Sequence, residues 1–194
     1  SDASGNTNSV SNTYTWTQDD TGPTMTITSN TVASGATTAT AAVVLIYTSN
    51  EVTTDFELAD ITVTDCSNAA FTGSSKVYGS TCTVSADSTP TVLVAAQKFN
   101  DATGNDNSVS NTYTWTQDDT KPTMTITSNT VASGATTATA AVVLIYTSNE
   151  VTTDFELADI TVTDCTNAAF TGSSTVYGST CTVTADSTPT VLVA

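Results

Sequence analysis

Asn8-Ser-Val-Ser-Asn-Thr-Tyr14-Thr-Trp16-Thr-Gln18-Asp-Asp-Thr21 is spelled out a second time at residues 107–120. The Tyr-Thr-Trp-Thr alternation within it is that of a β-strand, in which every second side chain shares a face. Its recurrence, offset by the 99 residues between Asn8 and Asn107, makes that strand part of a repeat. The two copies run on to Ala95 and Ala194 with four differences in 88 aligned positions: Gly22/Lys121, Ser67/Thr166, Lys76/Thr175 and Ser85/Thr184. Catalytic domains rarely stay this alike, whereas modules selected for stacking and length can be duplicated freely. The pattern is that of a structural array.

Working outward, the period of two persists and no segment carries a helical stripe. Thr24–Thr28 presents Met25 and Ile27 to one side, Ala41–Tyr47 is a longer apolar run, and Ile61–Thr64 alternates cleanly. A short strand is expected around Ala70-Phe71, a longer one over Val77–Ser85, and another over Pro90–Ala95 with Val92 and Val94 inward. Asn12–Gln18 and its copy Asn111–Gln117 complete about seven short strands per repeat, separated by turn residues, the pattern of a β-sandwich.

Composition narrows the function classes. The chain carries 19 acidic residues against 3 basic ones, no histidine, and a net charge of −16. Three lysines against 19 carboxylates cannot neutralise a phosphate backbone, so nucleic acid is not expected as a partner, and an anionic membrane surface would repel the chain. Without histidine there is no Ser-His-Asp or Cys-His arrangement, and two cysteines per repeat cannot build a conventional zinc cluster. No apolar run is long enough for a membrane helix, and membrane insertion is not expected in this segment.

Asp-Asp-Thr-x-Pro-Thr before a strand, Thr-Ser-Asn-Glu after the second, Phe-x-Leu-Ala-Asp-Ile-Thr-Val in the third, and Phe99-Asn-Asp-Ala-Thr-Gly-Asn105 before Thr-Tyr-Thr-Trp recur in order. In this set the chain resembles the tandem bacterial-type immunoglobulin-like (Big-type) repeats of large extracellular and adhesin-like proteins. The resemblance implies an all-β fold of tandem seven-stranded immunoglobulin-like β-sandwiches, an extracellular or cell-surface location, a fibre-like or stalk-like role, and no enzyme activity. It also implies that a domain begins at the Asp-Asp-Thr linker. Residues 1–19 are then the last strand of a preceding or neighbouring domain, 20–118 a complete domain, and 119–194 a domain lacking its final strand. A piece of a longer tandem chain would look like this, and so would a subunit whose first strand, carrying Tyr14 and Trp16, belongs to its neighbour. Both imply further copies.

Three groups of residues are candidates for a role. Cys66 and Cys82 enclose 15 residues, and Cys165 and Cys181 repeat the spacing. Even pairing without a CxxC motif or basic neighbour points to one structural disulfide per repeat and an oxidising compartment. Regular alternation would turn Cys66 away from Ile61 and Val63, so either the strand bulges near Asp65 or the bridge lies outside the core. Asp19, Asp20, Glu51, Asp101 and Asp106 fall on loops that a seven-strand sandwich gathers at one pole. There, hard oxygen donors suit calcium, the one cofactor the pattern allows. Asp118, Asp119 and Glu150 would form the second such set. Val44 and Ile46, with their copies Val143 and Ile145, add an outer apolar row to a strand already apolar inward, which suits either a lateral contact or cover by the loop Thr31–Thr38.

The function expected is structural: a repeat unit of an extracellular filament or stalk of head-to-tail domains, closed by donated strands if the subunits are separate, with copies of itself as partners. A cell-surface adhesin array binding a glycan or a partner surface is the alternative.

Overall fold

A computed structural model describes residues 1–193 as two compact units, Ser1–Asp119 and Thr120–Ala194. Both are all-β, built of mostly antiparallel sheets in an arrangement consistent with a β-sandwich.

In the first unit β1 (Met25–Ser29) and β5 (Ser67–Thr83) flank β3 (Ala42–Thr53). A second sheet orders β4 (Ile61–Thr64), β6 (Thr91–Val94) and β7 (Tyr113–Thr114). A short parallel pair joins β2 (Thr37–Thr38) to β8 (Thr116–Gln117). The alternation expected of each strand is realised side chain by side chain. Met25, Ile27, Val43, Leu45, Tyr47, Val92 and Val94 are buried, while the threonines between Met25 and Ser29 face outward. Two strands differ from expectation. β3 continues beyond Tyr47 to Thr53, and the two strands expected near Phe71 and from Val77 form one ladder element, β5, that turns within itself. The turn is tight: a Cβ on Gly73, whose φ is +112°, would stand 2.3 Å from the Val77 carbonyl oxygen, so only glycine fits. Phe71 is thereby stacked on Tyr78, with ring centroids 5.7 Å apart.

Phe56 is the hub of the core. Its ring meets those of Tyr47, Phe71, Tyr78 and Phe99 at 5.0 to 5.8 Å. The buried hydroxyls are satisfied locally: Tyr47 shares a 2.9 Å bond with Ser80, and Tyr78 donates to the Thr53 carbonyl at 3.0 Å. Burial still pushes the Tyr47 phenol above its ordinary range.

The second unit rebuilds this plan from β9 (Met124–Thr127), β10 (Ala141–Thr152), β11 (Ile160–Thr163), β12 (Thr166–Thr182) and β13 (Thr190–Val193). Its sheets are β12-β10-β9 and β11-β13. Phe155 again contacts Tyr146, Phe170 and Tyr177.

Both disulfides form, Cys66–Cys82 and Cys165–Cys181, with Cα separations of 5.6 and 5.7 Å. Intrachain bridges of this kind are typical of extracellular proteins. The parity problem at Cys66 is solved by the backbone: Asp65 takes φ +56° and Asp164 +55°, one left-handed residue that rotates the following cysteine toward the core. Cys82 is fully buried, and Cys66 packs against the same cluster. Replacing Cys66 and Cys82 together by alanine is expected to lower the first unit's stability by about 3 kcal/mol on loop-entropy grounds, read by denaturant unfolding under oxidising conditions.

Candidate functional site

The segment quoted first occupies two contrasting environments. As residues 107–117 it closes the first unit. Tyr113 and Thr114 pair with Val92 and Thr91 of β6, and Thr116 and Gln117 run parallel to Thr37 and Thr38. Tyr113 and Trp115 are 3% and 1% exposed. As residues 8–18 the same letters form no strand, and Tyr14 and Trp16 are 81% and 75% exposed. They are the only exposed aromatic rings among the described residues.

Side chains lock the closing strand as firmly as the ladder does. Asn111 works as a false peptide: its Oδ1 accepts from the Ile27 N–H at 2.7 Å, and its Nδ2 donates to the Ile27 carbonyl at 3.0 Å, capping the free edge of β1. Ser110 Oγ accepts from the Val94 N–H at 2.9 Å. The Tyr113 hydroxyl donates to the Val32 carbonyl, and Thr114 Oγ1 to that of Pro90 at 2.8 Å. Asn107, buried at 2%, accepts from the N–H groups of Lys98 and Phe99 and donates to the Ala95 and Ser108 carbonyls.

Against this stand the Trp115 Nε1 and the Gln117 amide, buried without a partner among the described residues. Each unmade bond costs about 1–3 kcal/mol. Burying two large aromatic rings contributes on the order of 10 kcal/mol at about 25 cal/mol per Å2, so apolar burial decides the balance.

The second unit repeats these positions with no counterpart of residues 107–117 among the described residues. Met124, Ile126, Val142, Val191 and Val193 are only partly buried, where Met25, Ile27, Val43, Val92 and Val94 are 0 to 3% exposed. Pro122 and Pro189 are exposed, whereas Pro23 and Pro90 are buried. Thr136 and Thr137, the copies of β2, form no strand, and within this unit β13 pairs on one side only, with β11. What is left, among the described residues, is a partly exposed apolar face beside a β13 that is paired on one side.

Of the acidic residues expected at the joints, the structure brings together Asp19, Glu51 and Asp101, whose carboxylate oxygens lie within 4.8 Å of one another. Three hard donors form a set that a divalent cation takes. Asp101, however, is already engaged: its Oδ1 accepts from Thr103 N–H, Thr103 Oγ1 and Asn105 N–H, and its Oδ2 from Asn105 Nδ2. Burial pushes its carboxyl up, but those donors outweigh it and hold the pKa at about 2. Asp20 and Asp106 do not join the trio. Asp20 is exposed, and Asp106 accepts from Asn100 Nδ2 at 2.8 Å.

The acidic residues of the second expected set make local hydrogen bonds. Asp118 N–H donates to Thr38 and Asp119 N–H to the Asp87 carboxylate, while Glu150 accepts from Asn149 Nδ2. A hydrogen bond to Asp87, with burial and the Asp87 charge, raises the Asp119 carboxyl above its ordinary range. A Cβ at Gly22 would meet the Asp106 carbonyl oxygen at 2.0 Å, and the residue at the copied position is Lys121.

Val44 and Val143 remain 41% and 44% exposed, and Ile46 and Ile145 are half-buried. The loop supplies a hydrogen bond, Val44 N–H to Thr31 Oγ1 at 3.1 Å, but leaves the outer valine open.

No protein-family model and no curated protein matches this sequence, which leaves its function to the chemistry of its own residues.

Met25→Ala is expected to cost the first unit about 2–5 kcal/mol, and Met124→Ala markedly less in the second, because the closing strand completes the burial only of Met25. Hydrogen exchange read unit by unit measures both. Because the Asp101 carboxyl is depressed in the fold, its stabilisation is present above its ordinary pKa of 3.8 and is lost as pH falls through about 2. With Trp16→Phe making Trp115 the sole tryptophan, Asp101→Asn should flatten the fall in stability between those values, followed by Trp115 fluorescence.

Proposed function

We propose that this chain is a structural extracellular protein, a repeat unit of a filament or stalk built from head-to-tail immunoglobulin-like β-sandwiches of the Big type. The observation that carries the reading is the pair of environments of one strand sequence: buried where it closes a unit, and exposed, with its rings in water, where it does not. A strand that closes a repeat in this way is a joint, and a joint copied with its unit makes an array. The four differences between copies support this. Ser67, Lys76 and Ser85 are exposed and Gly22 is half-buried, so the core and the strand seat are kept letter for letter.

The two disulfides suit an oxidising, extracellular setting, and the charge of −16 keeps neighbouring fibres apart by repulsion. The trio at Asp19, Glu51 and Asp101 is where calcium would stiffen the entry to the first unit. An adhesin array would place aromatic rings at loop tips to meet a sugar. Here the open rings, Tyr14 and Trp16, lie instead on a segment whose copy is a core strand, which favours the scaffold.

Electron microscopy of native material under non-reducing conditions should show long fibres with one bead per domain. Dispersed, short particles only would sink the filament reading and point to glycan-binding screens.

A further inference from the structure

Resting on that reading of a head-to-tail array, we propose that residues 8–18 of one molecule are the closing strand of residues 120–193 of a second molecule. The partner of that open apolar face is then another copy of this chain.

The occupant is specified by the first unit. Residues 107–117 sit there in a known register, and residues 8–18 are the same eleven letters. The seat is repeated too: none of the four substituted positions hydrogen-bonds to the closing strand in the first unit, and Gly22 meets only the loop before it. Transposing the register by one repeat sets Tyr14 beside Val191 and Thr15 beside Thr190, since Tyr113 pairs with Val92 and Thr114 with Thr91. The Tyr14 hydroxyl then donates to the Val131 carbonyl, and the Asn12 amide bridges the N–H and carbonyl of Ile126. These are the bonds that Tyr113 and Asn111 make to Val32 and Ile27. Ser11 Oγ takes the Val193 N–H, as Ser110 takes that of Val94. Thr17 and Gln18 run parallel to Thr136 and Thr137, turning into strand a segment that lacks strand structure without them.

Donor and apolar face also match in chemistry. In a chain with 19 acidic residues, residues 8–18 contain none, so the strand covers an apolar face without desolvating a carboxylate. Its rings are already in water at 81% and 75% exposure, so docking removes apolar surface that the free chain cannot hide. The contact joins two different surfaces and repeats head to tail without closing, which produces a fibre rather than a dimer. Because each molecule carries −16, association is opposed by charge and strengthens as salt screens it.

The test uses the full chain labelled with 5-fluorotryptophan, sized by analytical ultracentrifugation over a range of concentrations at low and moderate salt. Expected are species at multiples of 19.8 kDa that grow with concentration and salt, accompanied by a shift of the Trp16 fluorine signal toward that of buried Trp115. The double variant Tyr14→Ser/Trp16→Ser should weaken association at least tenfold while the Trp115 signal is unchanged. A synthetic peptide of residues 8–18, added to the intact chain, should shorten the oligomers, and the same peptide with Tyr14 and Trp16 replaced by serine should not.

The proposal is overturned by monomers at every concentration with Trp115 buried, whether Trp16 is exposed or closed onto its own molecule. Oligomers that survive the double variant overturn it as well. These outcomes leave the structural-array reading standing if native fibres are seen, because a continuous polypeptide builds the same array. That reading falls only if the native fibres are absent.

Discussion

The pairing of Tyr113-Thr114 with β6, and the burial of Tyr113 and Trp115 that comes with it, is the constraint on which the first unit depends. A sheet needs one face covered and its edges paired or capped. One short segment does both: its rings cover Val92, its Asn111 amide caps β1 at Ile27, and Thr116-Gln117 draws Thr37-Thr38 into a strand. The second unit, nearly identical in sequence, shows what remains without it. The disulfide, the hub at Phe155 and the β10–β12 ladder persist, while Met124, Ile126, Val142, Val191 and Val193 are less buried than their copies in the first unit. Ladder and bridge hold one half of the fold independently, and the closing strand governs the other half.

This division of labour suits a module that must join others. The cysteine pair staples β5 to the loop after β4 within a short stretch of chain, so that part of the core needs no partner. The seat of the closing strand is polarised differently. Much of its specificity lies in side-chain bonds from Asn107, Ser110, Asn111 and Tyr113 to backbone groups, which set the register and leave the apolar rings to supply most of the free energy. A strand seated by its own side chains carries its address with it wherever its sequence recurs.

Charge acts on a longer length scale. With 19 carboxylates and few cations, the chain gains little from ion pairing, and its acidic side chains serve as acceptors instead. Asp101 orders the loop before the closing strand through four donors, and Asp87 receives the Asp119 N–H after it. The acidic groups thus frame both ends of the strand while the strand itself stays uncharged, which keeps repulsion out of its seat.

Much of this was legible in the sequence. The repeat, the period-two strands, the inward sets Met25/Ile27 and Val92/Val94 and the cysteine pairing all follow from local rules, since alternation and spacing act between near neighbours in the chain. The tertiary structure alone decided the rest. The left-handed Asp65 that turns Cys66 inward and the turn at Gly73 that merges two expected strands are backbone conformations that alternation does not encode, and the gathering of Asp19, Glu51 and Asp101 without Asp20 or Asp106 joins segments far apart in sequence. The plainest case is Tyr-Thr-Trp itself: its letters are the same at residues 14–16 and 113–115, and only the presence of a seat makes one copy a core strand and leaves the other in water.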